Sequence, residues 1–185
     1  EKKESKVNSY DLEVHIPYIN INNDVVKKYN QDIEEIFANK ARSILGSENK
    51  NIIYNVEYVA NIHYGILSVM VKSNLKEGSN AQKVIVQTYN YDLRNNKEIS
   101  IAEMLKIKGA DNQVVQSKID EEISAEEKKV EDLKNLGYNI YNRDTSSSMY
   151  KLENASEFYV TEDTLYIVYA YGNQTSTSEM DLVIL

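Results

Sequence analysis

Between Ser9 and Ile16 apolar and polar residues alternate: Tyr10, Leu12, Val14 and Ile16 point one way, Asp11, Glu13 and His15 the other. That period of two predicts a strand with one wet face, ended by Pro17, the only proline in the chain. Asn22, Asn23 and Asp24 then offer helix-capping side chains. Val26, Tyr29, Ile33, Ile36, Phe37, Ala41, Ile44 and Leu45 recur at three and four, which predicts a helix over 23–45, closed by Gly46. Alternation returns in its longest run, Ile52–Tyr64, where Ile52, Tyr54, Val56, Tyr58, Ala60, Ile62 and Tyr64 share a face. Gly65 marks a bulge or bend, and a second strand over 66–73 follows it. The polar stretch Asn74–Asn80 predicts a loop joining that strand to an antiparallel neighbour over 83–93.

The 83–93 strand is apolar on both sides, with Ile85, Tyr89, Tyr91 and Leu93 on one and Val84, Val86 and Thr88 on the other. Asn95 and Asn96 suit a tight turn, because asparagine tolerates the left-handed conformation. Ser100 and Glu103 have capping-box spacing and predict a short helix, with Lys106–Ala110 as a connector. Residues 111–136 read as helix. Val114, Val115, Ile119 and Ile123 form one stripe, and Val130, Leu133 and Leu136 a second. A further box, Ser124-Ala-Glu-Glu127, predicts a break and restart between them. Residues 138–151 read as loop, 157–161 and 164–171 as a hairpin, and 180–185 as a last strand. The fold class expected is α+β: a mostly antiparallel β-sheet packed against two main α-helices, 23–45 and 111–136. One domain is expected over 9–185, with residues 1–8 as a flexible tether cut from something longer, such as a signal peptide or membrane anchor.

Composition narrows the partners. The 185 residues carry a net charge of −8, so no basic stripe offers itself to a nucleic acid, while a cationic protein would be attracted. No run of about 18 apolar residues is present, so no membrane-spanning segment is expected. The chain has no cysteine, which removes disulfides and thiolate metal sites. Fifteen tyrosines against two phenylalanines and no tryptophan suit half-wet sheet faces and interfaces.

Candidate chemistry is thin. His15 and His63 fall on the wet faces of strands without a second ligand in register, so no metal site is expected. Ser100 and Ser124 stand at cap positions, no nucleophile elbow or phosphate loop is present, and Glu121-Glu122 and Glu126-Glu127 lie on a charged helix face. No catalytic residue and no cofactor is expected; the chain reads as a non-enzyme. Tyr54, Tyr58 and Tyr64 could stack sugars, but Ile52, Val56 and Ile62 share their face, which is more typical of core. Two polar loops, Asn74–Gln82 and Gly172–Ser178, are the candidate recognition surfaces. Their partner-binding candidates are Lys76, Glu77, Gly78, Ser79, Asn80, Tyr171, Asn173 and Gln174.

The order of certain short motifs resembles a known family. Ile16-Pro17 precedes the Asn-rich helix start and Tyr29-Asn30; Leu67-Ser68 lies in a central strand; Tyr89-Asn-Tyr-Asp92-Leu93 is followed by Lys97, Ile99-Ser100 and Met104-Leu105. Phe158-Tyr159-Val160-Thr161 and Leu165-Tyr166-Ile167 come near the end. This pattern is similar to the sensor domain of RsiV-type anti-sigma factors, shared with the accessory region of PdaC-type peptidoglycan deacetylases. The resemblance covers most of residues 10–185. It implies an RsiV-like α+β fold outside the cytoplasm of Gram-positive bacteria. For sensor members it implies binding of lysozyme, which triggers proteolysis of the anti-sigma factor. The alternative it implies is a glycan-binding accessory module on peptidoglycan. The family usually carries a Gly-Gly-Ala-His-Gly-like turn between the two central strands; here Glu77-Gly-Ser-Asn-Ala81 stands there, without the histidine.

Overall fold

A computed structural model describes residues 2–5, 10–47, 51–138, 140, 142–171 and 178–185. At the centre of the chain, β3 (Ile52–His63) and β4 (Ile66–Glu77) form a long hairpin that turns through only two residues, Tyr64 and Gly65. Both take positive φ, 53° and 78°, the geometry that matches the twist of the flanking strands. A Cβ at Gly65 would also lie 2.7 Å from Nε of Arg94. The glycine read from sequence as a bulge or bend is thus a tight hairpin turn.

Around the hairpin a six-stranded sheet runs in the order β1-β2-β3-β4-β5-β6. Its other members are β1 (Lys2–Ser5), β2 (Tyr10–Val14), β5 (Lys83–Asp92) and β6 (Lys97–Glu98). All neighbours are antiparallel except β2 and β3, which are parallel. Lys2–Ser5, expected within a tether, instead pair with Tyr10–Glu13; residues 1 and 6–8 of that tether lie outside the described residues. Strand β4 continues to Glu77, so half of the expected 74–80 loop is strand. The 5–6 turn is built as its sequence suggests. Asp92 Oδ1 accepts from the amides of Arg94 and Asn95, and Asn96 takes the left-handed φ of 54°.

The predicted 23–45 helix is present as α1 (Asp24–Ile33), a π turn (Glu34–Ala38) and α2 (Asn39–Leu45). Asn23 Oδ1 caps it, accepting from Val25 N at 2.8 Å. The wide turn holds Phe37 and Ile44 on the stripe of Val26, Tyr29 and Ile33, and leaves Leu45 outside it. That stripe packs on one face of the sheet, against Leu12, Tyr54, Val56, Val69, Val71, Tyr89 and Tyr91.

A second sheet, expected as part of the first, stands separately: β7 (Phe158–Val160), β8 (Leu165–Tyr171) and β9 (Glu179–Ile184). With α3 (Ile101–Lys108) and α4 (Asn112–Asn135) it encloses a second core of Ile66, Met104, Ile119, Ile123, Phe158, Leu165, Ile167 and Val183. Helix α3 runs through the expected connector to Lys108 and ends at left-handed Gly109. Helix α4 is continuous. Ser124 donates to the carbonyl of Asp120 rather than capping a new start, because the apolar stripe runs on through Ile123 to Val130. Val114, Leu133 and Leu136, read as stripe residues, are exposed.

The two sheets meet across buried polar groups. Ser68 Oγ donates to Asn90 Oδ1 (2.6 Å), Asn90 Nδ2 to Phe158 O (2.9 Å) and Val160 N to Ser68 Oγ (3.0 Å). Beside them Glu157 accepts from both the amide (2.5 Å) and the hydroxyl (2.8 Å) of Thr88, which itself accepts from Phe158 N. Burial pushes the Glu157 carboxyl above its ordinary range, against the pull of the Thr88 bonds.

Candidate functional site

The far end of the β3–β4 hairpin from its tight turn carries the first predicted recognition loop. Lys76 and Glu77 prove to be strand residues held within the chain. Lys76 Nζ donates to Asn80 O, and Glu77 pairs with Lys40 of α2 at 3.1 Å. The loop proper begins at Gly78, whose left-handed φ of 55° lets its amide donate to Asn51 O at 2.9 Å. Gly78, Ser79 and Asn80 are exposed. Ser178, at the end of the second predicted loop, donates its amide to Gln82 O at 2.8 Å. So segments about a hundred residues apart in sequence are joined beside one rigid hairpin end. Asn173 and Gln174 lie outside the described residues.

Tyr171 corrects the sequence reading, because it is buried rather than presented to a partner. Arg143 sits over its ring, 4.5 Å from the centroid, and donates to its hydroxyl. Arg143 also makes a two-pronged pair with Asp181, Nε to Oδ2 at 2.6 Å and Nη2 to Oδ1 at 2.7 Å, while its backbone amide donates to Glu127. Burial works against the guanidinium's charge, but the bonds and charge of Asp181 outweigh it and hold the pKa above its ordinary value. This cluster ties the 142–147 segment to α4 and β9. Sequence reasoning missed it, since no local pattern pairs residues 38 apart.

The tyrosine row on β3 divides. Tyr54 is 2% exposed under the helices, whereas Tyr58, Val59, Ile62 and Tyr64 are 44, 44, 61 and 53% exposed. A three-tyrosine sugar platform is thereby lost. The cause is a mismatch of strand lengths. Strand β2 pairs with Ile52–Val56 only, and its line ends where His15 N donates to Val56 O at 2.8 Å. The second half of β3 has β4 on one side and, among the described residues, no strand on the other. Alongside lies an open groove of about 510 Å³ lined by Leu12, Val14, Ile16, Ala41, Leu45 and Tyr58, among others.

The remaining candidates stay apart. His15 is exposed beside Glu13 at 3.5 Å, and His63 packs edge-on against Tyr64. Among the described residues no three His, Asp or Glu side chains converge as for a metal. Ser100 closes a true capping box with Glu103, whose carboxyl the Lys97 ammonium and the Ser100 bonds hold down to about 2. Glu121, Glu122, Glu126 and Glu127 spread along α4, where Glu127 serves Arg143. No helix among the described residues is long and apolar enough to cross a membrane.

No family model and no curated protein matches the chain. Similar solved structures are DUF3298 family proteins. One from Pseudomonas aeruginosa is 14% identical with a TM-score of 0.47, over 94% of this chain and 79% of that one. A member from Bacteroides fragilis is 15% identical with a TM-score of 0.42, over 85% of this chain and 61% of its own length. The chain therefore spans about three-fifths of the Bacteroides protein.

Proposed function

We propose that this chain is a non-enzymatic, extracytoplasmic protein-binding domain of sensor type, whose partner is a cationic protein of the lysozyme class. The observation that carries this reading is the convergence of the exposed Gly78–Asn80 loop with Ser178 at one end of a rigid hairpin. Polar loops on a stiff support suit adaptable hydrogen bonding to a folded partner. The net charge of −8 adds long-range attraction for a basic protein. The motif order that resembles RsiV-type sensors names lysozyme within that class.

The test is size-exclusion chromatography of the chain mixed with hen lysozyme at low and high salt. A complex is expected at low salt that weakens as salt rises, because charge steers the encounter. Ser79→Trp, which crowds the loop without touching either core, is expected to weaken it. No complex at low salt overturns the lysozyme reading. Retention on purified sacculi, lost in Tyr58→Ala and Tyr64→Ala, would put the glycan module in its place.

A further inference from the structure

At the other end of the hairpin the sheet edge left open beyond His15 has the form of an interface. Alternate residues of a strand turn their backbone groups to the same side. Because Val56 O faces β2, the amides and carbonyls of Tyr58, Ala60 and Ile62 face the same open side. Ile62 N is held by its own neighbour, Asn61 Oδ1, at 2.9 Å. The others have no strand to pair with among the described residues. Natural edges are usually blunted by lysine, proline or a bulge. Residues 57–63 contain none of these, and Glu57 is their only full charge. Large apolar side chains stand exposed on both faces here, Tyr58 and Ile62 on one and Val59 on the other.

Only another peptide backbone matches such a row of donors and acceptors. We infer that a second copy of this chain pairs with it, β3 against β3 in antiparallel register about Ala60. That register is self-complementary. Each Ala60 exchanges two bonds with the other, and each Tyr58 amide donates to the Ile62 carbonyl opposite, giving four bonds with both Asn61 contacts kept. Tyr58 then faces Ile62, an aromatic–β-branched pair of the favourable kind, and Glu57 faces His63. The exposure of Ala60 leaves room for two strands to approach, and the turn at Tyr64 carries each chain away before it meets β2. This interface, centred on Ala60, lies nine residues along the strand from Asn51, which meets the Gly78–Asn80 loop, roughly 30 Å away, and stands independently of the lysozyme reading.

Sedimentation velocity over a wide concentration range tests it. A monomer–dimer equilibrium is expected, with a dissociation constant on the order of tens of micromolar, as for a small transient interface. It is expected to tighten severalfold as salt screens −8 from −8, the reverse of the lysozyme complex. Ala60→Pro removes an outward amide only and is expected to weaken the dimer at least tenfold, with an unchanged circular-dichroism spectrum. Because the chain has no cysteine, Ala60→Cys provides a second readout. With diamide as oxidant it is expected to form a disulfide-linked dimer at least tenfold faster than Val114→Cys, which is also exposed, on α4. A chain that stays monomeric at high concentration and high salt overturns the proposal. So does dimerisation with Ala60→Cys linking no faster than Val114→Cys.

Discussion

Replacing Asp181 by alanine removes the carboxylate that meets the Arg143 guanidinium with two bonds. Both side chains are nearly inaccessible, at 4 and 6%, so water cannot take over. Leaving one charge of a buried pair uncompensated costs about 3–5 kcal/mol. The Glu127 carboxylate, 3.8 Å from Nη1, remains and places the expected loss near the low end, about 3 kcal/mol. For a chain of this length that corresponds to a fall of roughly 6–12 °C in Tm. Thermal and urea melts of Asp181→Ala, Asp181→Asn and the double variant Arg143→Met/Asp181→Leu would separate the terms. The asparagine keeps an acceptor and is expected to lose less. The double variant removes both members of the buried pair and leaves Glu127, which is 18% exposed, the backbone amide of residue 143; it is expected to recover part of the loss, since apolar groups of similar volume replace buried ion pairs at little cost. A loss below about 1 kcal/mol for Asp181→Ala, or a double variant no better than the single, would refute the view that this pair anchors the 142–147 segment.

Other outcomes follow from the same geometry. Glu157 has its folded-state pKa raised, so its contribution is complete at acid pH and is lost as pH rises through that value. Glu157→Gln should therefore flatten the fall in stability just above the usual carboxylate range; an unchanged slope would remove Glu157 as its source. Gly65→Ala places a Cβ at φ 78° beside Arg94 and should cost about 1–2 kcal/mol in a urea melt, whereas a neutral result would show that the turn relaxes freely. Glu103 should titrate near about 2 by NMR and move up toward the ordinary carboxylate range in Lys97→Ala, the variant that removes its main partner; no movement would count against that ion pair in solution.

Much of the fold was legible because its signals are local. The cap at Asn23, the box at Ser100 and the left-handed turn at Asn96 each depend on a few neighbouring residues, and all three form as read. Ser124 shows the limit. Its spacing matched a cap, but the uninterrupted burial of Ile119, Ile123 and Val130 favoured one continuous helix. The division into two sheets was not legible, since period two says which face is apolar and not which neighbour a strand takes. For the same reason Tyr54 and Tyr58 look alike in sequence and differ in the structure: the first lies under Phe37, the second past the end of the β2 pairing, on the wall of the open groove. The Gly78–Asn80 loop was visible from composition. Tyr171 reads differently in sequence and structure because its burial beneath Arg143 depends on residues far away in the chain.

The polar contact between the two sheets sets where this molecule can vary. Apolar cores accept exchanges of similar volume, because such contacts have no direction. At Ser68, Thr88 and Asn90 every exchange for a hydrocarbon strands an amide or carbonyl of β7 with nothing to bind, at a cost of about 1–3 kcal/mol each. Random mutagenesis under selection for folding should therefore leave these three small side chains nearly unchanged while the larger ones around them drift.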